Sequence, residues 1–134
     1  MQIDEIDVFD AIRDVKDPEY PHTLQDLNVV FEEGIQVVQP NGQIPGVITV
    51  KITPTVKHCS LVSHISLCLR LRLVRYFGPQ TMDQYKVDIF VTEGSHDQQD
   101  EVNKQMNDKE RVAAAVEIPE LMQLIEECIK ELNV

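Results

Sequence analysis

Apolar residues at Ile3, Ile6, Phe9, Ile12 and Val15 recur every three positions among aspartates and glutamates, the spacing of an amphipathic helix. That helix is expected to run to about Val15 and to stop before Asp17–Pro18, because proline pushes the preceding residue out of the helical region. Two prolines between Asp17 and His22 mark a turn-rich connection. Val29 to Val38 and Val47 to Thr53 are then rich in β-branched residues. With Pro40–Asn41–Gly42 and Pro45–Gly46 between them, they predict an antiparallel hairpin with a longer loop.

Ser60 to Phe77 carries two periods at once. Leu67, Leu69, Leu71 and Leu73 alternate with Cys68, Arg70 and Arg72 as in a strand, whereas Leu61, Ile65, Leu69 and Leu73 repeat every four residues as in a helix. Length without glycine or proline, and Ser60 as an N-cap, decide for the helix. Gly78–Pro79 ends it, and the alternation in Tyr85 to Thr92 predicts a third strand, so that a helix crosses between two strands in a right-handed connection. Asp97 to Met106 is polar and helix-prone, a second helical signal begins near Asp108, and Glu120 to Leu132 is amphipathic, burying Leu121, Leu124, Ile125, Cys128, Ile129 and Leu132. The expected fold is α/β (α+β): a small three-stranded sheet with packed helices, in the order αββαβαα, forming a single domain over residues 1–134.

Charge narrows the function classes. Twelve Lys and Arg stand against 23 Asp and Glu, a formal charge of −11, which repels a phosphate backbone and argues against direct nucleic-acid binding. No apolar run reaches the length of a membrane span, and acids occupy the N-terminus where a secretory signal is basic, so membrane insertion and export are not expected. Three unpaired cysteines suit a reducing compartment, which places the chain in the cytoplasm or nucleus.

Chemistry concentrates in Thr53 to Ser60, where a strand leads through a proline loop to Cys59 at the start of a helix. The positive end of a helix favours a thiolate, the more so beside Lys57 and His58, and Cys59 is the residue with a mechanism for reactivity; an ordinary small residue at a helix start is the alternative. His58, Cys59 and His64 fall within seven residues, with His22 or His96 able to join through folding, but the spacing is a weak match to zinc sites. Cluster ligation by this chain alone is weaker still, because the cysteines lie 9 and 60 residues apart; a cluster bridged between subunits stays open. Cys68 and Cys128 read as core. No catalytic triad, phosphate loop, zincin motif or dinucleotide fingerprint is present.

Several segments resemble, in order and across nearly the whole chain, the small acidic subunit of the cytosolic iron–sulfur assembly targeting complex. They are Ile12–Glu19, Thr23–Leu24 with Leu27, Thr53–Val56 with His58–Leu61, Leu67–Arg70, Glu93–His96 and Asn103–Ala115. The resemblance extends to bacterial sulfur-mobilisation and phenylacetate-oxidation accessory proteins, which lack the Glu93–Ala115 segment and the C-terminal helix. It implies a non-catalytic adaptor that associates with a WD-repeat β-propeller and a HEAT-repeat protein and helps deliver clusters to cytosolic and nuclear apoproteins such as DNA helicases and polymerases, with a link to chromosome segregation. It also implies no stably bound cofactor beyond a transient iron–sulfur cluster. Cys59 matches the family's reactive cysteine, and Asp17, Pro18 and Glu19 its aspartate-proline-glutamate motif; with His58, Glu93, His96 and Arg111 they make up the expected partner surface. A thiol-dependent transferase using Cys59 and a mitotic or polarity scaffold without a cluster role are the alternatives. The loops Pro40–Gly46 and Gly78–Pro79 would also allow element exchange in a homodimer.

Overall fold

The computed structural model describes residues 2–18, 20–54, 59–92 and 99–129, without the side chains of 59–61 and 99–102. Its elements are α1 (Glu5–Ile12), β1 (Ile35–Val38), β2 (Gly46–Ile52), α2 (Cys59–Phe77), α3 (Pro79–Met82), β3 (Tyr85–Val91), α4 (Gln99–Met106), α5 (Lys109–Ala115) and α6 (Pro119–Ile129). This is the expected α/β architecture, with the one-turn α3 added after the crossover helix and the C-terminal region divided into three helices.

Asp4 starts α1 through a capping box: its carboxylate accepts the Asp7 amide at 2.8 Å, and the Asp7 carboxylate accepts the Asp4 amide at 3.1 Å. The helix ends at Ile12, three residues earlier than expected, and its buried stripe is Val8, Ala11 and Ile12, continued by Val15 beyond its end. Ile6 is exposed, because neighbours on a helix face recur at three and four residues alternately and a strict repeat of three drifts off the face.

The sheet order is β1–β2–β3. The first pair is antiparallel, with Val38 opposite Val47, and the second is parallel, with Ile52 opposite Val91. The hairpin expectation therefore holds, but β1 begins only at Ile35. Val29 and Val30 instead bury themselves in a turn whose amides return to the Leu24 carbonyl. Ile48, Val50, Ile52, Ile89 and Val91 share one core with Val62, Ile65, Leu69 and Leu73 of α2, which is a helix along its full length as its four-residue repeat requires.

Side chains close the outer edge of β3. Asn103 accepts the Val91 amide at 2.8 Å, Asn107 holds both backbone groups of Ile89, and Arg70 donates to the Val87 carbonyl at 2.8 Å. Four residues of helix advance about 6 Å and two strand residues about 6.6 Å, so Asn103 on α4 and Asn107 just past its end meet alternate residues of β3. The buried Arg72 ties three parts of the chain together, donating to the Ala11 carbonyl, the Asp14 carboxylate and the Ile129 carbonyl.

Candidate functional site

In a strand–helix–strand unit the carboxyl ends of parallel strands form the rim on which ligands and partners are met. Here that rim is where β2 and β3 finish. The Thr53 and Thr92 hydroxyls lie 2.9 Å apart, and the Thr92 amide donates to the Ile52 carbonyl at 2.9 Å. From Thr53–Pro54 the chain runs to Cys59, the first residue of α2, and from Thr92 it runs to α4. The two segments singled out in the sequence, Thr53–Ser60 and Glu93–His96, thus leave the sheet from adjacent strand ends. His58, Glu93, His96, Glu19 and the Cys59 side chain lie outside the described residues.

The remaining site candidates fall in three places. Asp17 is buried, 5% exposed, and acts within its own loop: its carboxylate accepts the Tyr20 amide at 3.0 Å and its backbone amide donates to the His22 carbonyl at 3.0 Å. Pro18 is half-buried and His22 exposed. Asp17 sits near Cys68 and Cys128, and Cys68 is about 13 Å along α2 from Cys59 at 1.5 Å per residue. Its neighbour Lys16 donates its amide to the Cys128 carbonyl at 2.8 Å, so the Asp17 loop lies against α6.

His64 and Arg111, which no sequence pattern linked, both line a cleft of about 420 Å³ between α2, α5 and α6. Leu67, Met106, Val112 and Leu121 make it largely apolar, and the buried Ser66 hydroxyl, which has no hydrogen-bond partner among the described residues, also lines it. Arg111 is exposed on this cleft, an arrangement suited to an apolar group with an acceptor beside it. Among the described residues no three His, Cys, Asp or Glu side chains are placed to hold a metal ion, and no helix is long and apolar enough to cross a membrane.

Cys68 and Cys128 are both buried, as expected of core thiols. The neighbouring Cys128 side chain, reinforced by burial, holds the Cys68 thiol well above its ordinary pKa, and the neighbouring Cys68 side chain pulls Cys128 down. No signal in the sequence links two cysteines 60 residues apart.

No family model matches the chain. Curated relatives do. It is 48% identical to Protein AE7 of Arabidopsis thaliana over 95% of this chain and 76% of that protein. It is 43% identical to MIP18 family protein FAM96A of Dictyostelium discoideum over 96% of this chain and 93% of that protein. With the mouse cytosolic iron-sulfur assembly component 2B it shares 42% identity over 95% of this chain and 73% of that protein.

Proposed function

Because the chain belongs to the MIP18 family, we propose that it is a non-catalytic adaptor in cytosolic iron–sulfur protein assembly, acting in the cytoplasm and on recipients in the nucleus. The observation that carries this reading is its identity, over nearly its whole length, with a mouse protein named as a cytosolic iron-sulfur assembly component. The partners proposed are a WD-repeat β-propeller, a HEAT-repeat protein and apoproteins that receive the cluster, among them DNA helicases and polymerases, with a resulting link to chromosome segregation. The cluster is cargo in this scheme, held transiently.

Two physical features agree with such a role. Thr53 and Thr92, which precede the segments that carry Cys59 and Glu93–His96, lie side by side, and Cys59 starts a helix, where backbone dipoles favour a thiolate able to meet iron. The apolar cleft beside Arg111 supplies a second contact surface on a chain that is otherwise strongly acidic.

The test is affinity capture of the tagged full chain and of Cys59→Ala from cytosolic extract, with mass spectrometry and iron quantification of the captured proteins. Capture of a β-propeller, a HEAT-repeat protein and iron–sulfur recipients by both forms, with iron lost from the recipients in the variant, is the expected result. Capture of none of these overturns the adaptor reading, and turnover of a small-molecule thiol substrate that depends on Cys59 would replace it with a transferase.

A further inference from the structure

Between α2, α5 and α6 lies a space that the chain's own side chains do not fill. None of the residues of α5 is buried, although Val112 and Ala115 lie partly against the core. Ser66 on α2 is 2% exposed, and its hydroxyl lines the cleft without a hydrogen-bond partner among the described residues. A helical serine can return its hydroxyl to the carbonyl one turn back, and a buried hydroxyl that finds no acceptor weakens the fold. Charge points to the same place. The chain carries a formal charge of −11, yet among the described residues no Asp or Glu lines this cleft. Arg111 does line it, exposed and without an ion pair among the described residues.

We propose that this cleft binds a small carboxylic acid with an apolar tail, held as its carboxylate by Ser66 and Arg111. Its volume of about 420 Å³ falls within the range of small-molecule sites, and Leu67, Met106, Val112 and Leu121 supply the wall against which an alkyl tail loses water. The head group follows from the donors. A guanidinium presents two parallel N–H groups that match the two oxygens of a carboxylate, and the Ser66 hydroxyl donates to an oxygen that reaches the buried side. A dianionic phosphate would meet a single arginine on a strongly acidic chain, and a neutral alcohol would leave that arginine unused. The site goes beyond the adaptor reading and does not rest on it. Binding is a property of the isolated chain, so its failure leaves the partner-capture result as it stands.

The test titrates octanoate at pH 7 into the full chain, followed by calorimetry and by amide NMR shifts. Octanol, which keeps the tail, and acetate, which keeps the charge, are the comparisons. The expected result is saturable binding of one octanoate per chain with a Kd on the order of 0.1 mM, and shifts centred on Ser66, Leu67 and α5. Octanol should bind about tenfold more weakly, and acetate should show no saturation up to about 10 mM. Arg111→Gln, a change at an exposed side chain, should weaken octanoate about tenfold and leave octanol unchanged. Ser66→Ala should weaken octanoate about fivefold and yet raise the melting temperature of the free chain by about 3 °C, because it removes the unpaired hydroxyl. A serine that served packing alone would not move the two readouts in those directions. Absence of saturable octanoate binding, octanol binding as tightly as octanoate, or unchanged affinity in either variant overturns the proposal. So does a concentration-dependent dimer that Arg111→Gln dissolves, which would give the cleft to a second copy of the chain.

Discussion

The side-chain amide of Asn107 pairs with Ile89 as a fourth strand would: its Oδ1 accepts the Ile89 amide at 2.9 Å and its Nδ2 donates to the Ile89 carbonyl at 2.9 Å. The same Oδ1 accepts from Arg70 at 2.8 Å, and Nδ2 also reaches the Asn103 carbonyl at 2.8 Å. An edge strand with free backbone groups is a template for unwanted pairing, and Asn103 of α4 with Asn107 just past its end removes that hazard by offering amides at the strand's own repeat. Asn107→Ala should therefore cost about 2 to 3 kcal/mol in urea unfolding, since it leaves a partly buried amide and carbonyl without partners. Hydrogen exchange at the Ile89 amide should accelerate more than at central β2 amides, and equal protection in the variant would show that another group covers this edge.

Arg72 tests whether the helical layer is held by an ion pair or by carbonyl capture. Its side chain is 6% exposed while that of Asp14 is 46% exposed, so the carboxylate keeps much of its hydration whether or not the arginine is there. The Ala11 and Ile129 carbonyls have no such alternative. Arg72→Met, which keeps the volume and removes the donors, is expected to lose about 2 to 4 kcal/mol, and Asp14→Ala about 1 kcal/mol or less. Equal losses from the two variants would put the ion pair in charge.

These two arginines also show where the sequence was legible and where it was not. In the pattern Leu67 to Leu73 they look like the solvent face of a strand, yet both turn inward to backbone carbonyls that come from distant parts of the chain. The helix itself was readable from its length and four-residue repeat, because those depend only on neighbours along the chain. So were the hairpin and the crossover, which together bring Thr53 and Thr92 side by side and define the rim. Val29 and Val30 misled because β-branched residues fit a buried turn as well as a strand, and only the amides returning to Leu24 distinguish the two. The cleft joining His64 to Arg111 and the burial of Asp17 depend on how α5 and α6 dock on α2, which no local pattern encodes.

Gly46 opens β2 where there is no room for a side chain. A Cβ there would lie 2.6 Å from the Val38 carbonyl oxygen and 2.7 Å from the Tyr85 ring. The Val38 oxygen is backbone, and the Tyr85 ring is itself held, its hydroxyl accepting the Ile3 amide at 3.2 Å and donating to Gln39 at 2.7 Å. Neither neighbour can move without breaking a sheet or hydrogen-bond contact, so Gly46→Ala is expected to destabilise by about 2 to 3 kcal/mol. Gly42→Ala is the control: nothing lies within 4 Å, and its φ of 60° predicts a cost of about 1 kcal/mol from backbone strain alone. A Gly46→Ala loss no larger than that of Gly42→Ala in thermal unfolding would show that the strand end adjusts freely.

The Arg75–Glu126 pair sets a small acid dependence on the contact between α2 and α6. Arg75 beside it holds the Glu126 carboxyl below the usual glutamate range, and the same bond raises Arg75. A carboxylate whose folded pKa is depressed contributes stability that is fully present above its unfolded value, about 4.3, and that is lost as the pH falls through the folded value. Both partners are well exposed, 51% for Arg75 and 43% for Glu126, so solvent and salt screen the pair and its worth is about 0.5 kcal/mol. Glu126→Gln should accordingly lower stability by about that amount at pH 7 in low salt, by less in 0.5 M salt, and by nothing measurable near pH 2.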